Sequence, residues 1–184
     1  SLLSHTIGLP PVAAHGSEAL KRRVVPPVLA GEKIAALAVT EPGGGSDVAS
    51  LKCAARRDGD HYVLNGEKTF ITSGMRADFI TVAVRTDAGS KGAAGVSALL
   101  VDADSPGLTR TPLKKMGWWC SDTAHLHFDD VRVPVGNLLG TEHQGFKVFM
   151  TNFNSERLSM SAAACAFAQA CLDEALAWAR DRVT

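Results

Sequence analysis

The sequence predicts an α+β chain in which an antiparallel β-barrel or sandwich lies between helical segments. Three observations predict it. Short β-prone runs recur through the middle of the chain, separated by turn clusters and not by helices. Both ends instead carry helical patterning. The last stretch is long and Ala-rich, with no Gly or Pro stop near its end. The expected division is 1–33 for the end of one helical domain, 34–140 for the β domain and 141–184 for the start of another helical domain.

The elements follow in order. Residues 17–30 read as a helix with Ser17 as N-cap, which Pro26-Pro27 should break or kink. The apolar run from Leu37 enters three consecutive glycines, Gly43 to Gly45, and reads as a strand ending in a loop. Residues 60–66 and 67–72 read as two strands around an Asn65-Gly66 turn, because that dipeptide supplies the positive φ values of a type I′ hairpin. Further strands are expected at 79–85, 96–101 and 125–128, divided by Asp87-Ala88-Gly89-Ser90 and Asp104-Ser105-Pro106-Gly107. From about Ser155 the chain reads as helix, with Asn154 or Ser155 capping it and Glu156 in its first turn. Leu158, Met160, Cys165, Phe167, Leu172, Leu176 and Trp178 give that helix more apolar surface than one other short helix can cover, so it is expected to be part of a longer protein.

Composition narrows the classes. Hydrophobic residues make up 46% and charged residues 21% of the 184, an ordinary globular mixture. Nineteen basic residues balance nineteen acidic ones, and no basic run exceeds Lys21-Arg22-Arg23, which argues against a nucleic-acid binder. No apolar run approaches the roughly 20 residues of a membrane helix. The N-terminus lacks the basic start and apolar stretch of a signal peptide. Cys53, Cys120, Cys165 and Cys171 form no C-x-x-C pair, the usage of a reduced intracellular compartment. His125 and His127 share a strand face, but no second pair stands at zinc-like spacing, so no metal is expected.

Four segments could carry chemistry. Residues 37–47 combine backbone donors of a glycine loop with the Thr40 and Ser46 hydroxyls, though the spacing is neither G-x-G-x-x-G nor a P-loop. Residues 65–74 place Phe70 and Thr72 on one strand face, an aromatic ring beside a hydroxyl. Residues 116–123 and 131–140 read as packing and turns. In 152–157, Glu156 is either a helix-start acid or a base, with Arg157 as an orienting group. Taken singly, a turn, a core aromatic and a helix start account for these segments.

Taken together, they resemble the acyl-CoA dehydrogenase family. Ala38-Val-Thr-Glu-Pro-Gly-Gly-Gly-Ser-Asp47, Leu64-Asn-Gly-Glu-Lys-Thr-Phe-Ile-Thr-Ser-Gly74, Met116-Gly-Trp with Ser121-Asp-Thr123, Phe128-Asp-Asp-Val-Arg-Val-Pro134, and Gly145-Phe146 before Glu156-Arg157 match its motifs in order. The resemblance implies FAD, an acyl-CoA thioester substrate and α,β-dehydrogenation to the trans-2-enoyl-CoA. It places Leu37, Ala38, Val39, Thr40, Gly45 and Ser46 along the flavin, with Phe70, Ile71 and Thr72 on another part of the ring. Ser46, Asn154, Ser155, Glu156 and Arg157 would meet the acyl-CoA. Phe70 stands where many members have Trp, and Asn154 where many have Asp.

The resemblance further implies electron-transferring flavoprotein as acceptor, a homotetramer or dimer, and a cytoplasmic or mitochondrial-matrix location. Most members take their base from a Glu far downstream. A minority resembling the isovaleryl-CoA and long-chain enzymes take it from the position of Glu156, and Glu156 is the expected base. An acyl-CoA oxidase or flavin monooxygenase of the same superfamily shares the pattern. A non-catalytic β module is the reading from another class.

Overall fold

The computed structural model describes residues 7–183, so residues 1–6 of the expected N-terminal segment lie outside the described residues. Two helices, α1 (Pro10–His15) and α2 (Glu18–Leu29), precede the strands β1 (Ala35–Ala38), β2 (Ala54–Asp58), β3 (His61–Thr72), β4 (Phe79–Arg85), β5 (Val96–Asp102), β6 (Leu108–Pro112), β7 (Thr123–Pro134) and β8 (Leu138–Leu139). The helix α3 (Gly145–Asp181) ends the described chain.

The class is α+β, as expected, but the sheet is mixed and is not closed into a barrel. Its order is β6-β7-β3-β2-β4-β5-β8, with β1 added beside β4. β1 runs parallel to β4, pairing Ala35 with Phe79 through to Ala38 with Val82. The hairpin of β2 and β3 and the turn that follows lie between them in sequence, and this excursion lets two parallel strands meet without a crossover helix.

Alternation along the central strands divides the core into two layers. Ile80, Val82 and Val84 of β4 join Leu99 and Val101 of β5 in one cluster with Tyr62, Leu64, Ile71, Leu126 and Phe128. Phe79 and Ala83 join Ala98 and Leu100 in the other, against Val12, Val24 and Val28 of the N-terminal helices and Phe149 of α3. Both faces of β4 and β5 are therefore covered, which explains their continuous apolar runs. Arg23 fastens α2 to this layer, donating to Asp102 at 2.7 Å while its guanidinium lies 5.4 Å from the centre of the Phe79 ring.

Three local expectations are corrected. Asn65-Gly66 is not a hairpin turn: β3 runs through it, and the β2–β3 turn is at Gly59, with φ of +61°. The pairing of β3 with β7 slips between Leu64 and Gly66, forming a bulge. Asn65 spans it, donating from Nδ2 to Asp130 at 2.9 Å and accepting the Asp130 backbone N–H at 3.0 Å. Gly66, at φ +136°, passes so close to Cys53 that a Cβ would stand 2.8 Å from its Cα. A bulge and a type I′ turn demand the same backbone freedom, so the dipeptide alone does not separate them.

Pro26 and Pro27 do not break α2, which continues to Leu29. They fall in the last turn, and the carbonyls they orphan belong to Arg22 and Arg23 on its exposed side. Ser17 caps the start as expected, accepting the Leu20 N–H at 3.3 Å. The short α1 is an element the sequence reading did not include.

The last helix begins at Gly145, so Asn154, Ser155 and Glu156 lie inside it and neither caps nor opens it. Gly145 serves close approach: a Cβ there would stand 2.3 Å from the backbone carbon of Ser97. Gly145→Ala is expected to cost about 1–3 kcal/mol through overpacking, readable as a lowered urea midpoint at unchanged m-value; an unshifted midpoint refutes this packing. Among the described residues, no helix is long and apolar enough to cross a membrane.

Candidate functional site

The site is assembled where the chain leaving β1 meets the end of β3. Beyond Ala38, Val39 stays buried, Thr40 is half-buried, and Glu41 turns tightly onto Gly44, each accepting the other's backbone N–H at 3.0–3.1 Å. The glycine loop then folds back on Thr40, whose Cγ2 would be 3.1 Å from a Cβ at Gly45. Gly43 and Gly44 have open space where side chains would be. Ser46 is exposed.

Three hydrogen bonds stitch this segment to β3. The Thr69 N–H donates to the Thr40 carbonyl at 2.9 Å. The Lys68 ammonium donates to the Val39 carbonyl at 3.0 Å and to Glu41 Oε1 at 2.8 Å. Glu41 accepts two more, from the Lys52 N–H at 2.7 Å and the Cys53 N–H at 2.9 Å. The pair is almost dry: the Lys68 side chain is 0% and that of Glu41 10% exposed. Burial favours the neutral carboxyl of Glu41, but the Lys68 charge and the three donated hydrogen bonds outweigh it and hold the group below the usual carboxylate range. Burial likewise lowers Lys68 against the opposing pull of Glu41, and pushes the Cys53 thiol up to about 11.

Immediately after this buried pair β3 bulges again. Pairing with β7 slips between Lys68 and Ile71, and Phe70 takes φ of +58°. The backbone twist turns the Phe70 ring outward, 69% exposed, while Ile71 enters the core. Thr72 is half-buried. The next turn is pinned by Asp122, which accepts the Met75 N–H at 2.7 Å and Arg76 Nε at 2.6 Å. Ser121-Asp122-Thr123 thus acts as a brace behind residues 73–77. Met116, Trp118 and Trp119 in the loop before it are exposed.

A cleft of about 430 Å³ opens beside the buried pair, lined among others by Glu41, Gly43, Asp47, Leu51, Cys53 and Glu67. Thr40, Phe70 and Thr72 do not line it.

The fourth segment stands apart. Phe153 packs against the core layer containing Leu37 and Val39, which anchors this turn of α3 to the strand leading into the site. Asn154, Ser155 and Arg157 are exposed and Glu156 is half-buried. Among the described residues, no hydrogen bond or ion pair joins them to 37–46 or 70–72. Glu156 accepts instead from the side-chain amide of Asn152 one turn earlier. Burial raises its proton affinity, opposed by that contact and by the Arg157 charge.

The structure thus brings together two of the segments singled out in the sequence, 37–46 and 70–72. It also shows the ion pair between them that the sequence reading missed. A signal was present: in the β3 alternation, Tyr62 and Leu64 point inward, and continuing by twos through Gly66 puts Lys68 on the same buried face. His125 and His127 share a face as their spacing implies, with Glu67 3.8 and 3.5 Å away.

Comparison with known proteins identifies the family. Residues 36–131 match the acyl-CoA dehydrogenase middle domain and 143–184 the acyl-CoA dehydrogenase C-terminal domain. The chain belongs to the acyl-CoA dehydrogenase family. It is 45% identical over 159 residues to a mitochondrial isobutyryl-CoA dehydrogenase of Dictyostelium discoideum, covering 86% of this chain and 38% of that one. It is 41% identical over all 184 residues to a cyclohexane-1-carbonyl-CoA dehydrogenase of Geobacter metallireducens, covering 48% of the latter. The crystal structure of a probable acyl-CoA dehydrogenase from Mycobacterium abscessus superposes with a TM-score of 0.95 at 56% identity, covering 100% of this chain and 49% of that one. The chain therefore spans about half, or less, of the length of these relatives. The relatives are named as oxidoreductases that act on acyl-CoA.

Proposed function

We propose that this chain supplies part of the flavin and thioester site of an FAD-dependent acyl-CoA dehydrogenase, with domain limits near residues 33 and 140. The observation that carries this reading is the stitched junction of 39–41 with 68–72. There an aromatic ring is held outward on a left-handed backbone beside two threonines and an open glycine loop. A flat, polar-edged ring system fits such a surface: Phe70 offers apolar contact, Thr40 and Thr72 hydroxyls, and the loop to Ser46 unhindered backbone donors, while Ile71, its side chain in the core, would meet the ring through its backbone. Leu37, Ala38 and Val39 form the strand behind it, and Gly45 lets the loop close on Thr40.

When bound, FAD supplies the acceptor for the β-hydrogen, which leaves as hydride. The protein's own part is to hold the thioester and take the α-proton. Glu156 is the group proposed to take it, as carboxylate, with Asn154, Ser155 and Arg157 on the CoA or acyl side. Donors to the thioester carbonyl are required as well, because an α-proton is far too weakly acidic for an unaided carboxylate. Electron-transferring flavoprotein as acceptor and a homotetramer or dimer complete the proposal.

The test is an anaerobic titration of the full-length protein with straight and branched acyl-CoAs, following the visible flavin band. The names of the relatives put isobutyryl-CoA and cyclohexane-1-carbonyl-CoA first, both branched at the α carbon. Bleaching by at least one ester is the expected result. A bound flavin that no acyl-CoA bleaches defeats the dehydrogenase reading, and reoxidation by air within the turnover time, with peroxide formed, makes the protein an oxidase.

A further inference from the structure

The core-facing positions of α3 are Gly145, Val148, Phe149 and Asn152, spaced along one stripe of the helix. Three of them are packing residues and the fourth is an amide, 8% exposed. Asn is a poor residue for a helix interior, and burying its amide is costly unless it is paired. Packing therefore does not account for it. Its side-chain N–H donates to Glu156 Oε1, one turn along. Helical side chains lean towards the N-terminus, so Glu156 folds back over Asn152 and not outward into solvent. Among the described residues, Glu156 Oε2 has no partner.

We propose that Asn152 is the positioning residue for Glu156, holding one carboxylate oxygen so that the other is presented to the substrate. This rests on the reading of Glu156 as the base. Arg157 does not replace the contact, because its guanidinium lies 5.7 Å from the centre of the Phe153 ring and forms no ion pair with Glu156. The other elements packed on this turn present the apolar residues of the second core layer, so among the described residues Arg157 is the one charged group acting on Glu156. The Asn152 donor favours the ionised carboxyl against burial, which favours the neutral one.

The test uses the full-length protein with Asn152→Leu, which keeps the volume and removes the donor, and Asn152→Asp, which keeps the shape and replaces a donor with an acceptor. The Glu156 carboxyl is titrated by carbon NMR in the flavin-free protein, with Glu156→Gln to assign the signal. Flavin bleaching by an acyl-CoA is followed against pH in parallel. Both variants should raise the carboxyl midpoint, Asn152→Leu by about one pH unit, and move the acid limb of bleaching to higher pH by the same amount. A merely structural Asn152 would lower stability and leave both pH midpoints in place. Should Glu156→Gln abolish bleaching while neither Asn152 variant moves a midpoint, this inference alone is overturned. Should Glu156→Gln bleach normally, the base reading fails and the inference with it.

Discussion

Lys68→Met is expected to lower the unfolding free energy by about 3–5 kcal/mol, the cost of leaving one member of a buried ion pair without its partner. Glu41 keeps its bonds from the Lys52 and Cys53 N–H groups but loses the one cation that, among the described residues, pairs with its carboxylate. Glu41→Gln should cost less, because the amide oxygen can still accept. Removing both charges together, as Lys68→Met with Glu41→Gln, should recover part of the loss. Urea unfolding of the three variants and the parent measures all of this; a Lys68→Met variant within about 1 kcal/mol of the parent shows that the pair is not the clamp described here. The pair also has a pH signature. Glu41 ionises more readily folded than unfolded, so its contribution is present above the ordinary carboxyl value of 4.5 and is lost as pH falls below that through the folded value. Glu41→Gln should flatten that acid limb.

Glu156→Gln is expected to lower turnover by about 10²–10⁴-fold, the range a positioned base contributes. The substitution keeps the side-chain shape and an acceptor for Asn152, and the site is half exposed, so stability should change by only about 0.5 kcal/mol or less. Substrate binding should survive as well. The charge-transfer or bleaching rate in a single anaerobic half-reaction is the appropriate readout, since it isolates the proton and hydride step from reoxidation. Turnover near the parent rate places the base elsewhere in the full-length protein.

Much of the fold was legible because its signals are local. The uninterrupted apolar run of β4 follows from burial on two sides, and Ser17 caps α2 as its residue type implies. Errors arose where one local signal serves two structures. Asn65-Gly66 supplies the backbone freedom of a turn and is used for a bulge, because Asp130 and Cys53 wait across the sheet. Asn154 and Ser155 are cap residues by type yet lie inside α3, which opens at Gly145, where Ser97 leaves no room for a side chain. The candidate segments stand out in the sequence by their pattern, but what joins them does not. Glu41 and Lys68 stand 27 residues apart, and each alone looks like an ordinary surface charge. Asn152 was missed for a related reason: with the helix start placed too late, it fell outside the helix, and its relation to Glu156 as i and i+4 was hidden.

The parallel placement of β1 against β4 has a kinetic consequence. β2 and β3 are near neighbours in sequence, and their hairpin closes over a very short loop. β1 has no such partner: its ladder joins Ala35 to Phe79, with the hairpin and the following turn between them. That closure carries the larger entropic cost and is favoured only once β4 is in place to receive it. Thr40 and the glycine loop follow directly from β1. The candidate surface is therefore not built with the hairpin: it waits for β4, and a nascent chain that has reached residue 72 holds both site segments without yet holding the site.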